Sequence, residues 1–158
     1  MTTTSIPQGF HAVTPSLTLK NSLKAIEFYK KAFNAKTLEV MPAPDGEGTM
    51  HATIQIGDSI VMMGDASPRC QSAESLGASP VSFYIYVSNV DAAFKQAIAA
   101  GATAVMPVAE MFWGDRAGSL KDPFGYAWMI ATHTRDLNNE QIQQGAQAFF
   151  AQMAQAGQ

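Results

Sequence analysis

Val13-Thr14-Pro15-Ser16-Leu17-Thr18-Leu19-Lys20-Asn21 and Val81-Ser82-Phe83-Tyr84-Ile85-Tyr86-Val87-Ser88-Asn89 are the same sentence written twice. Each is an alternating strand that stops at Asn and runs into an amphipathic helix. Further along each copy, Val40-Met41-Pro42 is matched by Val105-Met106-Pro107, and the Gly turn plus apolar strand Gly57–Met63 by Gly125–Ala131. The chain is a duplicated strand-helix-strand-strand-strand unit. Two copies of this length make a fused pair, not a solenoid, which needs a shorter period and at least three repeats. Two curved half-sheets, paired, enclose a cavity whose lining carries the function.

The first copy predicts a strand over 10–19, then a helix capped by Asn21 or Ser22 with Leu23, Ile26, Tyr29 and Phe33 at helical spacing. Strands follow over 36–42, 49–56 and 59–64, with a hairpin turn at Asp45-Gly46. The second copy predicts a strand over 81–87 and a helix over 90–100 that buries Val90, Phe94, Ala97 and Ile98 and ends at Gly101. Strands over 103–107, 116–121 and 126–132 complete it. A last helix, 138–155, carries the stripe Ile142, Ala146, Phe149 and Met153, which docks on this chain or on a partner. The fold class is α+β: one domain over 1–158, with module one at 10–65, a linker at 66–80, module two at 81–134 and the C-terminal helix at 138–155.

At 158 residues and 47% apolar content the chain has ample material for a core. A net charge of −3 without a basic stripe argues against a nucleic-acid partner. No apolar run approaches the roughly 20 residues of a membrane span. The polar start, Met1 to Phe10, lacks the pattern of a secretory signal. The single cysteine, Cys70, provides neither an internal disulfide nor a Cys-rich zinc site. A cytoplasmic protein without nucleic-acid or membrane partners is expected.

Strand side chains alternate faces. Val13, Leu17 and Leu19 suit the helix side and Thr14, Ser16 and Thr18 the other; Met50, Ala52, Ile54 and Ile56 oppose Thr49, His51, Thr53 and Gln55; Phe83, Ile85 and Val87 oppose Ser82, Tyr84 and Tyr86. The second face of each set mixes hydroxyls, aromatics and an imidazole, as a small-molecule pocket does. The alternative is an open sheet with a solvated face, against which Tyr84 and Tyr86 count.

Ala25-Ile26-Glu27-Phe28-Tyr29-Lys30-Lys31-Ala32-Phe33, Ile56-Gly57-Asp58-Ser59, Ala99-Ala100-Gly101-Ala102, Phe112-Trp113-Gly114-Asp115-Arg116 and Asp122-Pro123-Phe124-Gly125-Tyr126 give the chain a familiar look. It resembles the vicinal oxygen chelate superfamily of glyoxalases, bleomycin-resistance proteins and extradiol dioxygenases, and within it the phosphonate-operon type of glyoxalase-like protein. The resemblance implies two βαβββ modules in a U-shaped, mostly antiparallel sheet around a site, and a homodimer. Metal-dependent members hold their ion at four strand positions, which the resemblance places here at Thr14, Met62, Ser82 and Met129. Two hydroxyls and two thioethers are poor ligands for a hard or borderline divalent cation. No metal and no cofactor is therefore expected.

His51, with a pKa near neutrality, is the candidate for acid–base work or substrate hydrogen bonding. His133 and His11 read as structural. A metal site of His51 and His133 with Asp65 or Asp115 lacks any short ligand spacing. Trp113 and Arg116 sit in a loop suited to cover the cavity mouth, with Arg116 able to grip an anion. The alternative there is an Asp115–Arg116 pair with Trp113 packed on the sheet or at a dimer interface. Thr14, Ser16, Gln55, Met62, Ser82, Tyr84, Tyr86, Trp113, Arg116 and Met129 form the expected ligand site, Met62 and Met129 its adaptable floor. A metal-free binder or sequestering protein is the first expectation. A metal-independent enzyme using His51 is the second, and a metal-dependent lyase or dioxygenase with displaced ligands the third.

Overall fold

The computed structural model describes residues 4–156. In chain order the elements are β1 (Ser16–Leu19), α1 (Ser22–Phe33), β2 (Lys36–Pro42), β3 (Thr49–Ile56), β4 (Ser59–Asp65), α2 (Ala73–Leu76), β5 (Ser82–Tyr86), α3 (Val90–Ala100), β6 (Thr103–Glu110), β7 (Asp115–Lys121), β8 (Ala127–His133) and α4 (Asn139–Ala156). The duplication is exact in topology: one sheet runs β1-β4-β3-β2 and the other β5-β8-β7-β6. In each the first strand is parallel to its neighbour and the other pairings are antiparallel. The α+β class and both modules' element order follow the sequence reading.

Local chemistry explains the repeated strand-to-helix corner. Asn21 caps α1 by accepting from Lys24 N, and Asn89 caps α3 by accepting from Ala92 N. Asn34 ends α1 in the left-handed region at φ 55°, where Asn is tolerated. β1 is shorter than the predicted 10–19. Pro15 brings no N–H to a ladder, and only its carbonyl joins, accepting from Met62 N. β6 runs to Glu110, past the predicted 107: Pro107 is tolerated at a sheet edge, where the register shifts between Met106 and Ala109. The linker holds a turn of helix, α2, capped by the Ser72 hydroxyl.

The helix-facing sides of both sheets share one core, in which α1 and α3 pack against each other. Leu17, Leu19, Ile54, Met63, Trp128 and Ile130 are buried in it, as alternation predicts. Leu23 and Met50, expected inside, are exposed, and so is Ile98 in part. Three ties cross between the modules. Tyr29 OH donates to Asp122 at 2.7 Å. Tyr126 OH accepts from Thr18 N at 3.2 Å and donates to Thr18 O at 2.9 Å. Gln96 Nε2 donates to Lys31 O and to Asn34 Oδ1 at the end of α1.

Candidate functional site

Each sheet turns its other face away from the helices. In the first sheet Ser16, Met62 and Thr53 lie in one cross-strand row, and His51 is the next residue of that parity on β3. His51 Nε2 and the Thr53 hydroxyl share a hydrogen bond of 3.1 Å. Gln55 sits opposite Ile60. Thr14 lies before the strand and donates its hydroxyl to His11 O, so the neighbour of Met62 on β1 is Ser16.

The second sheet carries the denser chemistry. Tyr84 faces Met129 and Tyr86 faces Ala131, with Ser82 one step before them opposite Ala127. Asp115, at the start of β7, is buried and gathers four donors. Tyr84 OH reaches its Oδ2 at 2.7 Å, Tyr86 OH at 3.0 Å and Trp113 Nε1 at 3.0 Å; His133 Nδ1–H reaches Oδ1 at 2.8 Å. Burial pushes the Asp115 carboxyl upward, but the hydrogen bonds from His133, Tyr84, Tyr86 and Trp113 outweigh it and hold the group below its ordinary 3.8. Burial first, then the bond to Asp115, drives the Tyr84 phenol well above 10. His133 is raised above 6.5 by Asp115 and then by Asp136, which its Nε2 meets at 3.0 Å. The polar ends of three aromatic rings are thus locked on one carboxylate. Tyr84 and Tyr86, 5.1 Å apart, leave 43% and 64% of their surface open. This is a preorganised aromatic wall on the face that the strand pattern singles out.

One expectation changes here. Arg116 does not join that face and does not pair with Asp115. Neighbours on a strand point to opposite sides, so Arg116 turns toward α3 and grips Asp91 at 2.8 and 2.9 Å, with Glu110 at 3.4 Å. His133, expected to be structural, is held by hydrogen bonds to Asp115 and Asp136. His51 and His133 lie on strands of different sheets, β3 and β8. Asp115 and His133 belong to this hydrogen-bonded cluster and were not among the expected ligand-site residues. The signal was parity: Asp115, Ala117 and Ser119 share one face of β7, opposite Met129, Ala131 and His133.

Trp113 owes its position to what surrounds its loop. Phe112 packs against Trp113 on one side and against Phe149 and Phe150 of α4 on the other. The α4 stripe docks through this contact, and Phe150 stays 62% exposed. Gly114 (φ +103°) accepts from Thr134 N, Arg135 N and the Thr134 hydroxyl, and a Cβ there would run into Arg135 O. Gly114→Ala is expected to lower stability by about 3 kcal/mol, combining left-handed strain with backbone overlap. It should also free Trp113, seen as a red-shifted tryptophan emission before global unfolding in a urea titration.

The four positions of the superfamily's metal set do not fit a divalent cation: Met62 and Met129 offer thioethers, and Thr14 and Ser82 hydroxyls. Among the described residues no group of three or more His, Cys, Asp and Glu is placed to hold one. No helix of the described residues is long and apolar enough to cross a membrane.

A family model described as Glyoxalase/Bleomycin resistance protein/Dioxygenase superfamily matches residues 11–130. An uncharacterized protein of Mycobacterium bovis is 39% identical over 137 residues, covering 84% of this chain and 90% of its own. A gene product of Arabidopsis thaliana of known crystal structure is 28% identical with a TM-score of 0.64, covering 77% of this chain and 98% of its own. TioX from Micromonospora sp. ML1 shares the fold at 23% identity and a TM-score of 0.62, covering 81% of this chain and all of its own.

Proposed function

The chain belongs to the Glyoxalase/Bleomycin resistance protein/Dioxygenase superfamily, and from that premise we propose that it binds a small organic molecule without a metal, in a pocket completed by a second copy of the chain. The observation that carries this is the Asp115-anchored wall of Tyr84, Tyr86 and Trp113. Its rings are fixed before any ligand arrives, so little ordering opposes stacking. Met129 beside Tyr84 and Met62 beside Ser16 adapt to ligand shape. The thioethers and hydroxyls at the superfamily's ligand positions favour a metal-free role. The second copy is supported by what one chain leaves uncovered: Met41, Tyr84, Tyr86 and Val105 are exposed large side chains on the sheets.

Metal-free bleomycin is the first probe, followed by small carboxylic acids and phosphonates. Chelator-treated protein is expected to gain thermal stability with at least one of them and to run at twice 16.9 kDa in light scattering. Tyr86→Ala should weaken that ligand by about tenfold, the worth of one aromatic contact. Near-stoichiometric nickel, zinc, iron or manganese in protein purified without chelator would overturn the metal-free reading. A monomer that no probe stabilises would overturn the pocket.

One observation favours a second reading, a metal-independent acid–base enzyme. The expected residue, His51, has only the Thr53 hydroxyl as a side-chain partner among the described residues. His133 instead has its tautomer set by buried Asp115 and is half-exposed. Turnover of a probe that is lost in His133→Ala and kept in His51→Ala would select this reading.

A further inference from the structure

The duplication is symmetric in topology and asymmetric in what fills the seam between the modules. The first strands and helices correspond at an offset of 68, Val13 to Val81 (81 − 13). The final strands correspond at 67, Met62 to Met129 (129 − 62), because each lies across from the matched residue, Ser16 or Tyr84. Phe28 therefore corresponds to Gln96, Phe124 to Gly57 and Tyr126 to Ser59. Around β1 the three aromatics are present and Phe28 packs on Phe124 at 5.8 Å. Around β5 their places are taken by an amide, a bare backbone and a small hydroxyl. A Cβ built on Gly57 meets nothing within 4 Å.

The outcome is a cleft of about 610 Å³ between the modules, walled by Phe33, Ile56, Ile85 and Val87 with Gln55 and Gln96 at its polar margin. The β1 edge keeps a cleft of about 360 Å³, with Tyr126 in its wall. Both edges offer the same backbone groups. Val87 N donates to Ala131 O across the β5–β8 pair, so by alternation Tyr86 turns its N–H and C=O to the open edge. On β1 the carbonyls of Pro15 and Leu19 accept from the β4 side, and Thr18 turns its groups outward in the same way. There the Tyr126 hydroxyl bridges them, accepting from Thr18 N and donating to Thr18 O. No side chain among the described residues does so for Tyr86; the Ser59 hydroxyl donates to Asp58 instead.

We propose that this inter-module cleft is a binding site for a phenolic small molecule, whose hydroxyl bridges the N–H and C=O of Tyr86 as Tyr126 bridges those of Thr18. The molecule carries its own template for the occupant: a phenol seated against a free strand edge. The volume falls within the about 300–1,000 Å³ of small-molecule sites. An aromatic ring suits the apolar walls, and a hydroxyl satisfies both backbone groups at once. This cleft adjoins the Asp115-anchored wall, since Tyr84 and Tyr86 line both, but it uses the Tyr86 backbone rather than the phenols and does not depend on the function proposed above.

The test is an amide NMR titration of the full chain with para-cresol, and with toluene, which lacks the hydroxyl. Para-cresol is expected to shift the amides of Ser59, Tyr86 and Val87 saturably. Toluene should bind about tenfold more weakly, the loss of two modest hydrogen bonds. Ser59→Tyr, which supplies the ring that module two already has, should abolish the response. Gln96→Phe, which copies Phe28, should reduce it and decides the matter if Ser59→Tyr does not fold. Equal affinity for toluene, or a response unchanged in the variants, overturns the proposal. So do shifts confined to Thr53, Met62 and Met129. A Tyr86 amide already protected from exchange in ligand-free dimer would assign the edge to a second copy and overturn it too, leaving the Asp115-anchored pocket untouched.

Discussion

Replacing Asp122 with alanine is expected to cost about 4 kcal/mol of folding stability, the scale set by buried donors left without an acceptor. This carboxylate is only 4% exposed. Its Oδ2 accepts from Tyr29 OH at 2.7 Å and Trp128 Nε1 at 2.9 Å, and its Oδ1 accepts from Phe124 N and Tyr126 N, each at 2.9 Å. Tyr29 comes from α1 of module one; the other three belong to the β7–β8 turn and strand of module two. Removing the carboxylate strands four donors in the middle of the shared core and loosens the turn that aims Tyr126 at Thr18. Asp122→Asn keeps one acceptor oxygen but sets an NH₂ against two donors, and should lose about half as much. Urea unfolding monitored by tryptophan emission reads both. An alanine variant within about 1 kcal/mol of wild type would mean that water replaces the carboxylate, contrary to its burial.

Asp115→Ala should show its largest effect on binding. With the common acceptor gone, Tyr84, Tyr86 and Trp113 lose their fixed orientation. Affinity for whichever probe stabilises the wild type is expected to fall about tenfold or more, while stability falls by about 1–2 kcal/mol because water reaches these half-exposed donors. The same cluster sets a pH window. The Asp115 carboxyl is held below 3.8, so its contribution is complete above that value and is lost as pH falls through the lowered one. His133 is raised above 6.5, so its contribution is complete below that value and is lost as pH rises through the raised one. Thermal midpoints should therefore hold a plateau between about pH 4 and 6.5 and decline gently on the alkaline side, the exposed imidazole being screened by solvent. In Asp115→Ala the alkaline decline should flatten, since His133 keeps only the exposed Asp136. An unchanged alkaline limb in that variant would show that the Asp115–His133 bond does not hold in solution.

The two faces of β1, β3 and β5 were legible from alternation, since side-chain direction on a strand depends only on parity. The same rule, applied to β7, separates Asp115 from Arg116 and pairs the first with Tyr84, Tyr86 and His133. Pro15 likewise announces that β1 begins late. The partner of Arg116 was not legible: Asp91 stands 25 residues away at the head of α3. Nor was the burial of Asp122, whose Tyr29 partner lies 93 residues away. The stripe of α4 was visible as a stripe, but its anchor at Phe112 was not.

Taken alone, the amino-acid order determined the duplicated βαβββ plan, the Asn-capped corners and the parity of each strand, because caps and alternation act over a few neighbouring residues. Tertiary structure alone decided that four donors converge on Asp115, that Asp122 ties the modules together and that the cleft beside β5 is larger than the one beside β1. Each depends on how one module is set against the other, and that arrangement is chosen by the summed packing of α1, α3 and both sheets.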